Sequence, residues 1–500
     1  MSDEIVVIGA GVGGLAAAAR LAAAGHRVRV FERAGTVGGK LGRYERRTAA
    51  GTFRFDTGPS LLTLPGVFED LFAATGGPGG LRPVRLDPIV RHAFPGGAVL
   101  DSCADAEEFA ARIAEVLGPD AARDWRGLWR RAERVWHASW RHVLRTGASP
   151  ADLARLAWRM RALAAVAPGR TLRGLGRAHL RDPRLRMLLD RYATYAGADP
   201  RRAPAALVAV PYAELTFGGW YLPGGLGTLA DALLSRCLDL GVVVETGTAV
   251  ARIEAAGGRV HGVRLAGGAR VAADVVVANA DALAVHRDLL PAPGRLAGLA
   301  DRSLAGLVLL LGVRGVGGSP GASPAHHTVF FPDDYDAEFD AVFGDPGRGV
   351  PARPVPDPAV FVTVADDPAV RPDGHEAWFV LVNAPPHGTG RGAVDWRRPG
   401  LADAYADRVL AVLAARGVDV RDRLLFRETR TPADLADATG APGGAIYGTA
   451  SHGLRALARP ANRAPARGLF LVGGSVRPGG GLPMVTLSAE IVAAAIGPPR

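Results

Sequence analysis

The sequence is poor in cysteine, with only Cys103 and Cys237 among its 500 residues. Two cysteines cannot form a disulfide framework or a thiolate metal site, and we expect no metal centre of any other kind. So little cysteine is most consistent with a reducing, intracellular setting. We therefore expect a fold that depends on its hydrophobic core.

Long hydrophobic runs are also missing. The longest apolar stretch, residues 304–313, covers only half of the roughly 20 residues that a transmembrane helix needs. The strand-like pattern begins at Ile5, so we expect no secretory leader before it. The sequence thus predicts a cytoplasmic protein whose contact with a membrane, if it has one, is peripheral.

Lysine is nearly absent, since Lys40 is the only one among 59 basic residues. A net charge of +10 would otherwise suggest a nucleic-acid partner, but this replacement of lysine by arginine is typical of GC-rich genomes. We therefore expect no nucleic-acid binding. The charge is unevenly distributed, because residues 121–191 carry 17 arginines against five carboxylates.

The clearest motif lies at the start of the chain, where residues 4–33 follow the order strand, glycine-rich turn, helix and strand. Its glycines are those of a dinucleotide-binding loop, in which they allow a tight turn, close approach of a pyrophosphate and close helix–strand packing. They are Gly9, Gly11, Gly13 and Gly14. Glu32 ends the second strand, where a carboxylate can accept hydrogen bonds from ribose hydroxyls.

Two further glycine-rich segments favour FAD over NAD. Gly38, Gly39 and Lys40 follow Glu32, and such a turn with a base is typical of flavoproteins in which it lies along the FAD phosphates. Near the C-terminus, a predicted strand at residues 469–472 enters a glycine-rich turn and then a helix. A helix entered in this way points free N–H groups at an anion or a polar ring edge. We therefore predict FAD held by both ends of the chain, although each turn alone could be structural.

With these motifs in view, the chain resembles the bacterial carotenoid (phytoene-type) desaturases, and most closely the hydroxycarotenoid 3,4-desaturase branch. The matching stretches are residues 53–60 (FRFDTGPS), 191–197 (RYATYAG), 218–225 (GGWYLPGG), 278–281 (ANAD) and 473–484. The resemblance implies the FAD-binding fold of the flavin amine oxidases, an α/β Rossmann-like domain with a discontinuous α+β insertion. It assigns residues 1–75, 225–290 and 440–500 to the FAD domain, and residues 76–224 and 291–439 to a domain for substrate and membrane.

The resemblance also extends the set of expected cofactor residues beyond the first glycine loop. The added residues are Arg33, Gly58, Pro59, Ser60, Val250, Asn279, Gly473, Gly474, Gly481, Leu482, Pro483 and Met484. It implies transfer of a hydride from an allylic C–H to flavin N5, loss of a proton, and oxygen or quinone as the electron acceptor. The family usually has His-Pro-Gly in its closing segment, whereas this chain has Arg477-Pro478-Gly479. No general base can therefore be named, and Arg477 is only a weak catalytic candidate.

A helix with both tryptophans and arginines is predicted in the insertion. Trp125, Trp129, Trp136 and Trp140 fall within an arc of roughly 60° on one helix face and are surrounded by arginines. One interpretation is a helix that lies on an anionic membrane, with residues 123–161 as the contact. The other is that the tryptophans pack into the insertion and the arginines are only solvated.

The most specific hypothesis is FAD-dependent desaturation of an acyclic or hydroxylated carotenoid, as a 3,4-desaturase or a phytoene desaturase. One alternative is another oxidoreductase of the flavin amine oxidase superfamily, such as an isomerase, saturase or oxidase of an apolar metabolite. Another is a prenyl-group carrier of the same fold that catalyses nothing. The glycine loop and Glu32 argue against the carrier.

Overall fold

A computed structural model describes residues 3–146, 166–290, 296, 299–315, 324–390, 392–453, 456 and 459–499. Its strands are β1 Glu4–Ile8, β2 Arg27–Phe31, β3 Arg43–Thr48, β4 Gly51–Asp56, β5 Leu62–Thr63, β6 Val84–Arg85, β7 Arg91–Ala93, β8 Val99–Asp101, β9 Gly219–Tyr221, β10 Val243–Glu245, β11 Val250–Ala256, β12 Arg259–Leu265, β13 Arg270–Ala272, β14 Val275–Ala278, β15 Ala305–Arg314, β16 His327–Phe330, β17 Val360–Val364, β18 His375–Ala384, β19 Leu424–Arg430 and β20 Leu469–Leu471. Its α-helices are α1 Val12–Ala23, α2 Gly66–Ala74, α3 Ala106–Leu117, α4 Pro119–Ser139, α5 Leu172–His179, α6 Pro183–Arg191, α7 Ala209–Phe217, α8 Gly227–Asp239, α9 Ala282–Ala284, α10 Tyr335–Phe343, α11 Leu401–Ala415, α12 Pro432–Thr439 and α13 Leu482–Ile496.

A five-stranded parallel sheet brings distant parts of the chain together in the order β10-β2-β1-β14-β20. β1 is apolar because it lies inside this sheet with neighbours on both sides. Helices α1 and α13 pack against each other beside the sheet. The N-terminal, middle and C-terminal segments thus contribute strands to one parallel sheet.

The longest apolar run forms β15 in a second, mixed sheet of seven strands, in the order β19-β15-β18-β17-β16-β7-β8. Alternate side chains of β15 enter two different cores: Leu309 and Leu311 face α11, whereas Val308 and Leu310 pack with Phe53 and Phe55. A strand buried on both faces must be apolar at every position, which explains the run.

The hairpin of β3 and β4 is shared between the two predicted domains. It falls within residues 1–75, which the sequence analysis assigns to the FAD domain, yet Phe53 and Phe55 pack on the seven-stranded sheet. The sheet itself combines strands from both of the segments predicted for the second domain. The exact domain bounds remain a prediction.

The tryptophans of α4 point into the protein. Trp125 is 2% exposed and meets Phe109 edge to face, and Trp136 is 6% exposed and contacts Phe217. For these two rings the structure therefore shows packing into the insertion, which is the second of the two interpretations of this helix. Residues 147–161 of the predicted membrane contact lie outside the described residues.

Candidate functional site

The glycines after β1 surround the side chain of Asn279, which follows β14. A Cβ atom at Gly11 or Gly13 would lie 2.8 Å from the amide group of Asn279, and one at Gly473 would lie 2.7 Å from it. A Cβ atom at Gly14 would lie 2.0 Å from the carbonyl oxygen of Gly9. Only glycine fits at these positions, so the loop has no room for side chains.

Two helix N-termini without side-chain caps lie at this loop. Helix α1 begins after Gly11 and α13 begins after Gly481, and neither N-cap residue supplies a side-chain acceptor. The first N–H groups of a helix need acceptors, and an anion can provide them. Since α1 and α13 pack together, the described residues fit a bound diphosphate.

Glu32 is fixed at the carboxyl end of β2. Its two carboxylate oxygens accept hydrogen bonds of 2.8 Å from the backbone N–H groups of Ala10 and Ala34. Each oxygen keeps a second lone pair, as a contact with ribose hydroxyls requires. Val250 begins β11 beside it, since the N–H of Thr248 donates to the carbonyl of Glu32. The side chain of Arg33 is directed away from Glu32, because its guanidinium donates to the carbonyl of Asp437.

The segments after β2 and β4 pack on the first loop in layers. The N–H of Gly38 donates to the carbonyl of Ala10 at 2.9 Å, and a Cβ at Gly39 would lie 3.2 Å from the Cα of Gly11. A Cβ at Gly58 would lie 1.9 Å from the carbonyl oxygen of Lys40. Both predicted cofactor segments are therefore packed through their backbones, the first on the glycine loop and the second on Lys40 of the first.

The side chain of Lys40 points away from the glycine loop. Its ammonium donates to the carbonyls of Ala445 and Ile446 at 2.9 and 2.6 Å. Burial lowers the pKa of Lys40 to about 8, against the effect of nearby Asp281. Lys40 thus ties the N-terminal turn to the C-terminal segment, and a direct role along the phosphates remains a prediction.

Ser60 lies against the seven-stranded sheet. Its hydroxyl is 2.9 Å from that of Thr363, and its carbonyl is 3.2 Å from Nε2 of His327. Pro59 precedes it at the exposed surface of the same turn. A cavity of about 280 Å³ runs from the exposed side chains of Arg43 and Arg54 to Ser60 and Thr363. Ser60 therefore lies between the glycine loops and this cavity.

Asp56 and Asp281 are site residues that the sequence analysis did not select. Asp56 accepts the N–H groups of Leu226 and Gly227 at 2.7 and 2.8 Å, and burial raises its pKa. Asp281 forms a buried ion pair of 2.7 Å with Arg302. Both aspartates lie inside quoted motifs, but nothing in the local pattern indicates their partners.

The closing segment, residues 473–484, is held by the side chain of Arg459, another residue that the sequence analysis missed. Its guanidinium donates to the carbonyls of Gly474 and Tyr447 at 2.7 and 2.8 Å, and burial lowers its pKa to about 10. Nε of Arg477 donates to the carbonyl of Arg459. The weak catalytic candidate Arg477 is thus bound to the backbone.

The remaining predicted residues lie at the start of α13. Pro483 is buried, Leu482 and Met484 are half-buried, and Gly481 is exposed. Met484 packs against the same apolar core as Phe361 of β17. The C-terminal cofactor segment therefore also borders the seven-stranded sheet.

The described residues contain neither a metal-binding group nor a membrane-spanning helix. No group of His, Cys, Asp or Glu side chains among them is arranged to hold a metal ion. None of their helices combines the length and the apolar character needed to cross a membrane.

Comparisons with known proteins identify clear relatives. The family model of the flavin containing amine oxidoreductases matches residues 12–306. The hydroxyneurosporene desaturase of Rubrivivax gelatinosus is 35% identical over 98% of this chain and 93% of its own. The carotenoid 3,4-desaturase of Haloarcula japonica is 32% identical over 99% of this chain and 98% of its own. The 4,4'-diapolycopene oxygenase of Methylomonas sp. is 32% identical over 98% and 97%.

Solved structures agree on the fold. Wild-type putrescine oxidase bound to putrescine has a TM-score of 0.62 at 14% identity, covering 99% of both chains. An oxidoreductase from Methanosarcina mazei has a TM-score of 0.62 at 18% identity, covering 98% of this chain and 100% of its own. At such identities the likeness concerns the fold alone.

Proposed function

The chain belongs to the flavin containing amine oxidoreductase family, and within that family we propose that it is an FAD-dependent carotenoid desaturase. It removes two hydrogens from a C–C single bond that adjoins a polyene, in an acyclic or hydroxylated carotenoid. The observation that carries the proposal is similarity along nearly the whole chain to desaturases of such substrates.

The described residues fit FAD. The starts of α1 and α13 offer free N–H groups for the diphosphate, and Glu32 offers carboxylate oxygens for the ribose. Ser60 and Met484 lie where the flavin end would meet the seven-stranded sheet. Bound flavin supplies the hydride acceptor for the reaction.

The protein's own contribution is to position the polyene and to exclude water. The apolar core that contains Leu188 of the helical insertion also packs against Phe361 of the seven-stranded sheet and Met484 of the C-terminal cofactor segment. The charge left on a polyene by hydride loss is spread over many carbons, so proton loss needs no strong base. Arg477, bound to the backbone, therefore need not serve as one.

Direct turnover tests the proposal. FAD-loaded protein incubated with an acyclic carotenoid should lengthen the polyene, shift its absorption to longer wavelength and yield a product with two hydrogens fewer. The matched control is the Gly14→Val variant, whose side chain would meet the carbonyl of Gly9. Absence of any such product with acyclic, hydroxylated and unsaturated carotenoids would refute the proposal.

A second candidate, oxygenation of the polyene end, is favoured by one observation. The diapolycopene oxygenase relative is nearly as similar as the desaturases. Mass spectrometry of the same product distinguishes the two, because oxygenation adds an oxygen atom whereas desaturation adds none.

Membrane contact through the helical insertion is part of the proposal. Among the described residues, Arg130 and Arg134 of α4 have no carboxylate partner, and Phe217 is 40% exposed beside Trp136. Exposed arginines without carboxylate partners suit an anionic lipid surface, and an exposed apolar ring suits its apolar boundary. In vesicle flotation, the wild type should be recovered better with anionic than with neutral lipid, and Arg130→Gln with Arg134→Gln should reduce the difference. Equal recovery with both lipids would contradict this contact.

Oxygen or a quinone is proposed as the electron acceptor. Apart from residues 9–14, the sequence has no Gly-x-Gly-x-x-Gly loop that could bind a nicotinamide dinucleotide, so we propose no nicotinamide in this role. Anaerobic turnover with added quinone, compared with aerobic turnover without it, identifies the acceptor.

A further inference from the structure

A buried polar cluster lies in the apolar core between helices α6 and α7 and the seven-stranded sheet. We call it the Arg191 cluster, and it consists of Arg191, Tyr192, Tyr195, Glu214 and His92. Its charged members are deeply buried: Arg191 is 5% exposed and Glu214 2%. Charged side chains are rarely buried to this degree without a specific role.

The cluster is held together by aromatic hydroxyls. The hydroxyl of Tyr192 donates to Oε1 of Glu214 at 2.7 Å, and Nη2 of Arg191 donates to the hydroxyl of Tyr195 at 2.6 Å. The guanidinium lies 4.9 Å from the ring of Tyr195 and 5.7 Å from that of Phe361. Burial lowers the pKa of Arg191, but Tyr195 and Glu214 raise it more, so the guanidinium stays charged.

These contacts leave part of the cluster unsatisfied. Among the described residues, Nη1 of Arg191, Oε2 of Glu214 and both ring nitrogens of His92 have no hydrogen-bond partner. The hydroxyl of Tyr195 lies near the carboxylate of Glu214. Because a carboxylate oxygen can accept more than one hydrogen bond, this neighbour still leaves room for a second donor. Buried polar atoms without partners are uncommon in native proteins, so Nη1 of Arg191 and Oε2 of Glu214 are a donor and an acceptor suited to bind a ligand.

The cluster is linked through Phe361 to the flavin end of the proposed site. The guanidinium of Arg191 lies 5.7 Å from the ring of Phe361, which stacks on the ring of His327 at 5.5 Å. Nε2 of His327 is in turn 3.2 Å from the carbonyl of Ser60. A polyene with its reactive bond at the flavin would therefore pass close to Arg191.

We propose that Arg191 and Glu214 bind the hydroxyl group of a hydroxylated polyene, with Nη1 of Arg191 donating to its oxygen and Oε2 of Glu214 accepting its hydrogen. The inference rests on the proposed desaturase function and specifies its substrate class. A hydroxyl group offers both an acceptor and a donor, whereas a carbonyl offers only an acceptor and a hydrocarbon neither. A hydrocarbon would leave Nη1 of Arg191 and Oε2 of Glu214 without a hydrogen bond in a dry site, so the protein discriminates against it.

The experiment compares a 1-hydroxycarotenoid with the same carotenoid lacking the hydroxyl group. Arg191→Met is combined with Glu214→Gln so that no lone charge stays buried, and Arg191→Lys retains a donor. The matched control is Arg416→Met, a half-buried arginine whose contacts are Asp357 and the carbonyls of Phe330 and Pro358. Each FAD-loaded protein is titrated anaerobically with both carotenoids, and kcat/KM is measured for both.

We expect the wild type and Arg416→Met to prefer the hydroxylated carotenoid by about 10- to 100-fold in both readouts, the size of one hydrogen bond to a charged group. The double variant should lose the preference, and Arg191→Lys should keep part of it. An unchanged preference in the double variant, or none in the wild type, would overturn the inference. If the wild type desaturates neither carotenoid, the proposed function fails, whereas the binding titration still reports on the hydroxyl site.

Discussion

Replacing Gly14 by alanine is the sharpest test of the glycine loop. The added Cβ would lie 2.0 Å from the carbonyl oxygen of Gly9, whereas non-bonded heavy atoms prefer about 3.5 Å. The start of α1 must therefore move by roughly 1.5 Å away from β1. Such overpacking costs about 1–3 kcal/mol of stability.

The same displacement moves the free N–H groups of α1 away from the position of the diphosphate. If the strain falls mainly on the FAD-bound form, a cost of about 1–3 kcal/mol corresponds to roughly a 5- to 150-fold loss of FAD affinity. The assay is titration of flavin-stripped protein with FAD, followed by fluorescence, together with urea unfolding of the stripped and loaded forms.

Gly127→Ala is the matched control. Gly127 lies inside α4, and a Cβ there would meet no atom within 4 Å. Alanine is favoured over glycine inside a helix by about 1 kcal/mol, so this variant should be slightly more stable and bind FAD as the wild type does. If Gly14→Ala kept the wild-type FAD affinity within about threefold, less than 1 kcal/mol, the reasoning about the loop would be refuted.

Three further predictions concern stability, each measured by urea unfolding. The folded-state pKa of Lys40, about 8, is below its unfolded value of 10.5, so between these pH values the unfolded chain binds more protons than the folded protein. The free energy of unfolding of the flavin-free protein should therefore rise relative to that of Lys40→Met between about pH 8 and 10.5. A difference between the two that does not change with pH would contradict this. Trp125→Ala should cost about 3–5 kcal/mol because the ring is buried against Phe109, and a loss below 1 kcal/mol would show that it is not a core residue. Asp281→Asn should cost about 3–5 kcal/mol by leaving Arg302 buried without its carboxylate, and recovery in Asp281→Asn with Arg302→Met would separate the pair from other effects.

Much of the cofactor site can be predicted because its signals are local. The turn at Gly9, the helix after it and Glu32 all fall within one strand–helix–strand unit, whose spacing is fixed by the geometry of those elements. The family similarity confirms the flavin cofactor and the fold that these signals indicate. The individual contacts of the predicted residues with FAD stay predictions.

The direction of individual side chains could not be predicted. The Lys40 ammonium points to the carbonyls of Ala445 and Ile446, which are about 400 residues away along the chain. The arc of tryptophans on α4 was visible in the sequence, but amphipathic spacing is the same for a helix that faces a core and one that faces a membrane. Burial of Trp125 depends on α3 being packed against α4.

The sequence by itself determined the dinucleotide loop, the parallel sheet and the FAD family, because these depend on glycines and apolar residues at short, fixed spacings. Only the tertiary structure decided that Asn279 fills the space between four loop glycines, and that Arg191 and Glu214 share one apolar core. Their partners come from strands and helices far apart in the chain. Whether the fold removes water from a charged group and leaves one of its hydrogen bonds unmade is not recorded in any local pattern.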